Sequence, residues 1–170
     1  MRLDGSCQCG KVGFRVESET PYPFMFCYCS ICRKTTGGAF GCNIMGKRAT
    51  LRVSGKRHLR RYHAIIRNPG QRAERSEGER WFCRECGTHL YLLDDRWPDG
   101  VWPNAGAIDT KLPQPSEHVH IMLRFKPGWV PVPGRGPRFR EYPDLSIAEW
   151  HEQHAPRRRA RRAVRGGRRP

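Results

Sequence analysis

Nowhere in the 170 residues is there a run of about 20 apolar side chains, so no membrane-spanning helix is expected. An apolar signal region is also missing: Met1-Arg2-Leu3-Asp4 leads directly into Gly5 and a cysteine pair. No internal repeat occurs, which argues against a solenoid. Hydrophobic residues are scarce, at 37%, so the apolar core needs help from other ties. Acids are scarce too. Sixteen of them face 32 Lys and Arg, and the net charge is +16. The shortage is complete from Arg157 to Pro170, a stretch with eight arginines and no acid that carries half the net charge. From Pro156 onward the composition is Arg, Ala and Gly, too poor in apolar surface to offset ordering entropy. The reading divides the chain into a domain at 1–155 and a disordered Arg-rich tail at 156–170. The remaining positive charge of the domain favours an anionic ligand.

Cysteine, glycine and proline are plentiful. Gly 18 and Pro 14 imply many turns and short elements. Seven of the eight cysteines fall in three clusters: Cys7-Gln8-Cys9, Cys27-Tyr28-Cys29-Ser30-Ile31-Cys32, and Cys83-Arg84-Glu85-Cys86. With no signal region, such clusters read as thiolate ligands in a reducing compartment, the cytoplasm, rather than as disulfides. Two pairs make a closed four-thiolate set and the triplet an open three-thiolate one. Tetrahedral zinc is saturated by four protein ligands at structural sites and keeps a position free at catalytic ones. Two zinc ions per chain are expected, one structural and one reactive. Cys83-x-x-Cys86-Gly87 is a knuckle that needs a second pair, and Cys7 and Cys9 supply it. The triplet leaves an alternative open, in which Cys42 or His63 closes the site as fourth ligand. A lone strand cysteine is more often a small buried hydrophobe. Arg33 and Lys34, directly after the triplet, are placed to attract an anion or else form a solvated basic surface.

Val12, Phe14 and Val16 alternate with polar residues and mark a half-buried strand. Short strands are also read at Phe40 to Met45 and Thr50 to Ser54, joined by Gly46-Lys47-Arg48, and at Leu59 to Ile66 and Leu90 to Leu93. The spacing reads Asn68 to Gly78 and Trp97 to Gly106 as loops, Ala107-Ile108-Asp109 as a strand end, and Thr35 to Gly38 as a turn with some helical character. His118 and His120 share a strand face that solvent commonly takes. A helical turn is read at Leu145 to Trp150, with Asp144 as cap. The balance is a mainly β domain.

The motifs Gly5-Ser-Cys-Gln-Cys-Gly-Lys-Val12, Cys27-Tyr-Cys-Ser-Ile-Cys-Arg-Lys34 with Gly37 and Phe40, and Arg80-Trp-Phe-Cys-Arg-Glu-Cys-Gly87 resemble, in this order, the glutathione-dependent formaldehyde-activating enzyme family, which includes centromere protein V. Ala105 to Asp109 and His118 to Trp129 resemble its later segments. The resemblance implies small antiparallel sheets packed around zinc. It implies a structural zinc on Cys7, Cys9, Cys83 and Cys86 and a catalytic one on Cys27, Cys29 and Cys32. The implied reaction adds glutathione to formaldehyde, giving S-hydroxymethylglutathione, a carbon–sulfur lyase activity, with Arg33 and Lys34 holding carboxylates. Tyr28 stands where many members have His. The alternatives from other classes are a zinc-stabilised nucleic-acid-binding module, with the tail as a nonspecific basic arm, and a module that binds a partner protein.

Overall fold

The computed structural model describes residues 1–19, 24–115, 118–147 and 149. In chain order its elements are β1 Arg2–Ser6, β2 Gly13–Glu17, β3 Phe24–Cys27, α1 Ser30–Thr36, β4 Gly41–Asn43, β5 Gly46–Lys47, β6 Arg52–Ser54, β7 Leu59–Ile66, β8 Glu74–Cys83, β9 His89–Leu93, β10 Gly100–Pro103 and β11 His118–Ile121. Three sheets result, ordered β1-β2-β6, β5-β10-β9-β8-β7 and β11-β3-β4. The mainly β class with small antiparallel sheets therefore stands. One pair departs from it: β11 runs parallel to β3, with Ile121 opposite Cys27. A parallel pair needs a long crossover, and nearly the whole domain serves as that crossover.

The main core lies between the first two sheets. Val12, Phe14 and Val16 turn the inward face of β2 towards Leu3, Ile44, Leu59, Leu90, Tyr91 and Val101. Leu3, Ile44 and Leu90 are fully buried, each contributing about 1.5–3 kcal/mol relative to exposure. A smaller cluster of Phe26, Tyr28 and Val130 and another of Cys27, Val119 and Ile121 lie under the third sheet.

Several expectations are corrected. Asn68 to Gly78 is not all loop, because β8 starts at Glu74 and pairs with β7 back to Ile66. This outer part of the hairpin is largely exposed, so its residues are polar without being loop. Trp97 to Gly106 holds β10, and the paired Gly100 and Val101 are buried. Gly46-Lys47 is itself strand β5, and β4 and β6 enter different sheets instead of forming a hairpin. Ala105–Ala107 is a 3-10 turn, and Ile108 makes only a single bridge to Gly5. The opening strand β1 and helix α1 had no apolar pattern long enough to announce them. His120 is fully buried rather than solvent-facing, because its ring packs against Phe26 and Tyr28, while residues 138–141 pair along the edge of β11. The helical turn near Leu145 is capped by Ser146, whose hydroxyl accepts from the Glu149 amide while the Ser146 amide donates to the Glu149 carboxylate. This reciprocal box replaces the expected Asp144 cap. The tail from Pro156 and the boundary at 155 lie outside the described residues.

Candidate functional site

Two sharp turns, each closed by a glycine, bring the cysteine pairs together. Cys7 follows β1, and its carbonyl accepts from Gly10 at 2.9 Å. Cys83 ends β8, and its carbonyl accepts from Gly87 at 2.9 Å. Gly10 and Gly87 both take positive φ, 72° and 74°, a conformation glycine reaches without steric cost. The Val12 amide donates to Cys7 Sγ at 3.2 Å. Across the gap, the Gln8 amide donates to the Thr88 hydroxyl, which also meets Cys86 Sγ at 3.2 Å. The Thr88 hydroxyl, with the Thr88 backbone, holds the Cys86 thiol down to about 6. Cys7 and Cys9 sulfurs are 3.5 Å apart, and Cys9 and Cys83 sulfurs 3.8 Å.

The second set is built from a strand end and a helix start. Cys27 closes β3. Cys29 is the N-cap of α1, and its sulfur accepts from the Cys32 amide at 3.3 Å. Cys32 sits one turn on. Gly41 of β4 lies against it so closely that a Cβ there would be 2.9 Å from Cys32 Cβ. Cys29 accepts hydrogen bonds from Cys27 and Cys32, which holds its thiol far below the ordinary range. The same contacts, with burial, push Cys27 up. Cys27 is the buried member of the set, and Cys29 and Cys32 are half-buried.

All eight cysteines are free thiols. Within each of the two sets, Cys7, Cys9, Cys83 and Cys86, and Cys27, Cys29 and Cys32, the sulfurs lie within 4.8 Å of one another, close enough to hold a metal ion. Zinc–sulfur bonds near 2.3 Å give a tetrahedron with edges of about 3.8 Å. The sulfur spacings of the first set fit that edge and are far from a disulfide. The structure leaves both candidate fourth ligands out of the triplet. Cys42 packs with Phe26 and Tyr28, and burial alone pushes its thiol up to about 12. His63 is engaged by the Ser76 carbonyl at Nδ1, 3.0 Å, and faces Glu79 at Nε2, 3.7 Å.

The glutathione-dependent formaldehyde-activating enzyme family matches residues 2–123. The chain belongs to this family. A "Putative glutathione-dependent formaldehyde-activating enzyme" of Halomonas elongata is 51% identical over 154 residues, covering 89% of this chain and 95% of that protein. A crystal structure of a Rhodobacter sphaeroides protein is similar with a TM-score of 0.52 at 26% identity, covering 69% of this chain and 98% of that one.

Around the family's cysteines the structure places the motif residues Tyr28, Arg33 and Lys34 and adds a cleft. Tyr28, between two thiols, is fully buried, and its hydroxyl shares a hydrogen bond of 2.9 Å with His120 Nδ1. Arg33 turns back so that Nε donates to the Tyr28 carbonyl at 3.1 Å, while Lys34 is exposed. Both lie in the last turn of α1, where positive charge complements the helix dipole. A cleft of about 300 Å³ opens between α1 and the second sheet, lined by Thr35, Tyr62, Arg80, Phe82, Gly87 and His89. In the sequence Arg80 is only the start of the knuckle motif, and His89 lies three residues beyond Cys86. Nothing in the spacing shows that both face a cleft, because that depends on the register of three strands.

Proposed function

We propose that this chain catalyses the reversible joining of glutathione and formaldehyde to give S-hydroxymethylglutathione, a zinc-dependent carbon–sulfur lyase activity, in the cytoplasm. In the proposal Cys7, Cys9, Cys83 and Cys86 hold a structural zinc, and Cys27, Cys29 and Cys32 hold the catalytic one. The observation that carries it is the three-thiol set, with Cys42 and His63 turned elsewhere. Family membership and the name of the Halomonas relative support the substrates. Among the described residues no helix is long and apolar enough to cross a membrane.

Zinc held by three thiolates keeps one position open and lowers the pKa of a thiol that reaches it. The chain's own residues do the rest. The β3 end and the α1 cap fix the three sulfurs, and the amide bond to Cys29 holds its charge in place. Arg33 and Lys34 draw an anionic thiol towards the triplet. In the forward direction the sulfur–carbon bond forms at the aldehyde carbon, and the thiol proton ends on the aldehyde oxygen. The reverse reaction breaks that bond and returns the proton to sulfur. Holding both reactants together is itself a large part of the rate gain.

The experiment is exchange of glutathione with formaldehyde, followed by NMR with and without the zinc-loaded protein. Acceleration by the wild type, lost in Cys29→Ser with the fold intact, is the expected result. A wild-type protein that neither binds glutathione nor speeds the exchange would falsify the reading.

A further inference from the structure

The cleft beside the triplet contains buried polar atoms without a hydrogen-bond partner among the described residues. Cross-strand partners share a sheet face, as do alternate residues of one strand. Tyr62 of β7 is opposite Arg80 of β8, and Phe82 is opposite His89 of β9. The β8–β9 pairing shifts register between Trp81 and Phe82, and this bulge turns His89 away from Tyr91, two positions on; all four side chains line one cleft, while Trp81 and Tyr91 pack on the main core. Thr35, on the helix that carries Cys32, closes the other side of the cleft.

Arg80 Nη1 is buried without a hydrogen-bond partner, and so are both ring nitrogens of His89. His89 is 6% exposed. A buried donor left unmade is expensive, more so when charged. Asp94, the carboxylate that feels the charge of Arg80, is already gripped by Arg96 at 2.9 and 2.7 Å. The guanidinium is near enough to Cys32 for its charge to bear on that thiol. The cleft thus joins an unsatisfied cation, a buried imidazole and two aromatic walls on the flank of the reactive cysteines.

We propose that this cleft seats a carboxylate of the thiol substrate, which accepts from Arg80 Nη1 and from a ring N–H of His89, with Tyr62 and Phe82 against the adjoining carbon chain. The assignment rests on the reading of the triplet as the thiol site. Arg80 and His89 are specificity residues here: they select a thiol that carries an acid at a fixed distance from its sulfur. A charge-assisted, fork-shaped donor meets a carboxylate better than it meets an ester or amide.

The test is calorimetric titration of the zinc-loaded protein with glutathione and with its diester, which keeps the thiol and loses both carboxylate charges. Wild type is expected to bind glutathione about tenfold or more tightly than the diester, the weight of one charge-assisted bond. Arg80→Met, with a wild-type NMR fingerprint, is expected to lose most of that preference, while its affinity for the diester stays unchanged. Should that variant not fold, Arg80→Lys keeps the charge and the stem, and a reduced preference is expected. A preference that survives at its wild-type ratio in either folded variant, or that wild type never shows, overturns the seat. The two readings separate cleanly. An Arg80-dependent preference without faster formaldehyde exchange sinks the lyase reading alone, and faster exchange with an Arg80-independent preference sinks the seat alone.

Discussion

At the scale of single residues, the site depends on buried polar groups that each have one right partner. Tyr28 and His120 are both fully buried and joined by one hydrogen bond. Tyr28→Phe keeps the ring and removes that bond, leaving His120 Nδ1 unpartnered. The expected loss is about 1–3 kcal/mol, read as a lowered melting temperature at constant metal content. A second prediction concerns pH. Burial, with the charge of Arg80 adding to it and the Tyr91 backbone opposing weakly, lowers His89 to about 4, against about 6.5 in an unfolded chain. The folded-state value is the lower one, so stability is complete above pH 6.5 and drains as pH falls towards 4. The loss amounts to about 3 kcal/mol. Ring resonances of His89 should show a neutral imidazole at pH 6, and a titration midpoint above 6 would contradict this. The cysteines were legible because their chemistry is carried by residue type and spacing. Arg80 and His89 were not, because an unpaired donor is a property of neighbours that sequence does not name.

At the scale of elements, the triplet is a joint between β3, α1 and β4. Helix α1 has seven residues, too short to be stable alone. It is held by the Cys29 cap, by Gly37 in the left-handed region at its end, and by the close face of Gly41. Gly41→Ala forces Cys32 or the strand to move by tenths of an ångström. The expected cost is about 1–3 kcal/mol. The cobalt-substituted protein should lose the wild-type absorption of one thiolate site and keep that of the other. Unchanged absorption at both would remove Gly41 from the argument. Strands with one buried face, such as β2 and β9, could be read from alternation. Elements exposed on both faces, like the outer half of β8, or braced by cysteine-bearing turns, like α1, carry no such period. Their existence is decided by pairing with distant strands.

At the scale of the whole molecule, the two cysteine sets do different mechanical work. Cys7 and Cys83 tie the first sheet to the second, and neither turn closes a set alone. The triplet is local, and β3 and β11 brace it without needing its sulfurs. Cys83→Ser is therefore expected to unfold the domain, and Cys29→Ser to leave it folded. Mild chelation should remove metal from the triplet first and leave secondary structure intact, measured as metal released against circular dichroism. Equal lability of the two sites, or a Cys29→Ser protein as unstable as Cys83→Ser, would count against the assignment. The net charge of +16 says little about this division. Half of it lies in the stretch from Arg157, outside the described residues.

The distance in sequence between Cys9 and Cys83, 74 positions, also sets a timetable. A growing chain presents Cys27, Cys29 and Cys32 together, within one short segment. Cys7 and Cys9 must wait until the β8–β9 hairpin has been made. A stalled or truncated chain ending before Cys83 would offer a metal only the triplet, the set expected to release it first once the protein is complete. The order in which the sites are filled during synthesis is thus the reverse of the order in which they are kept.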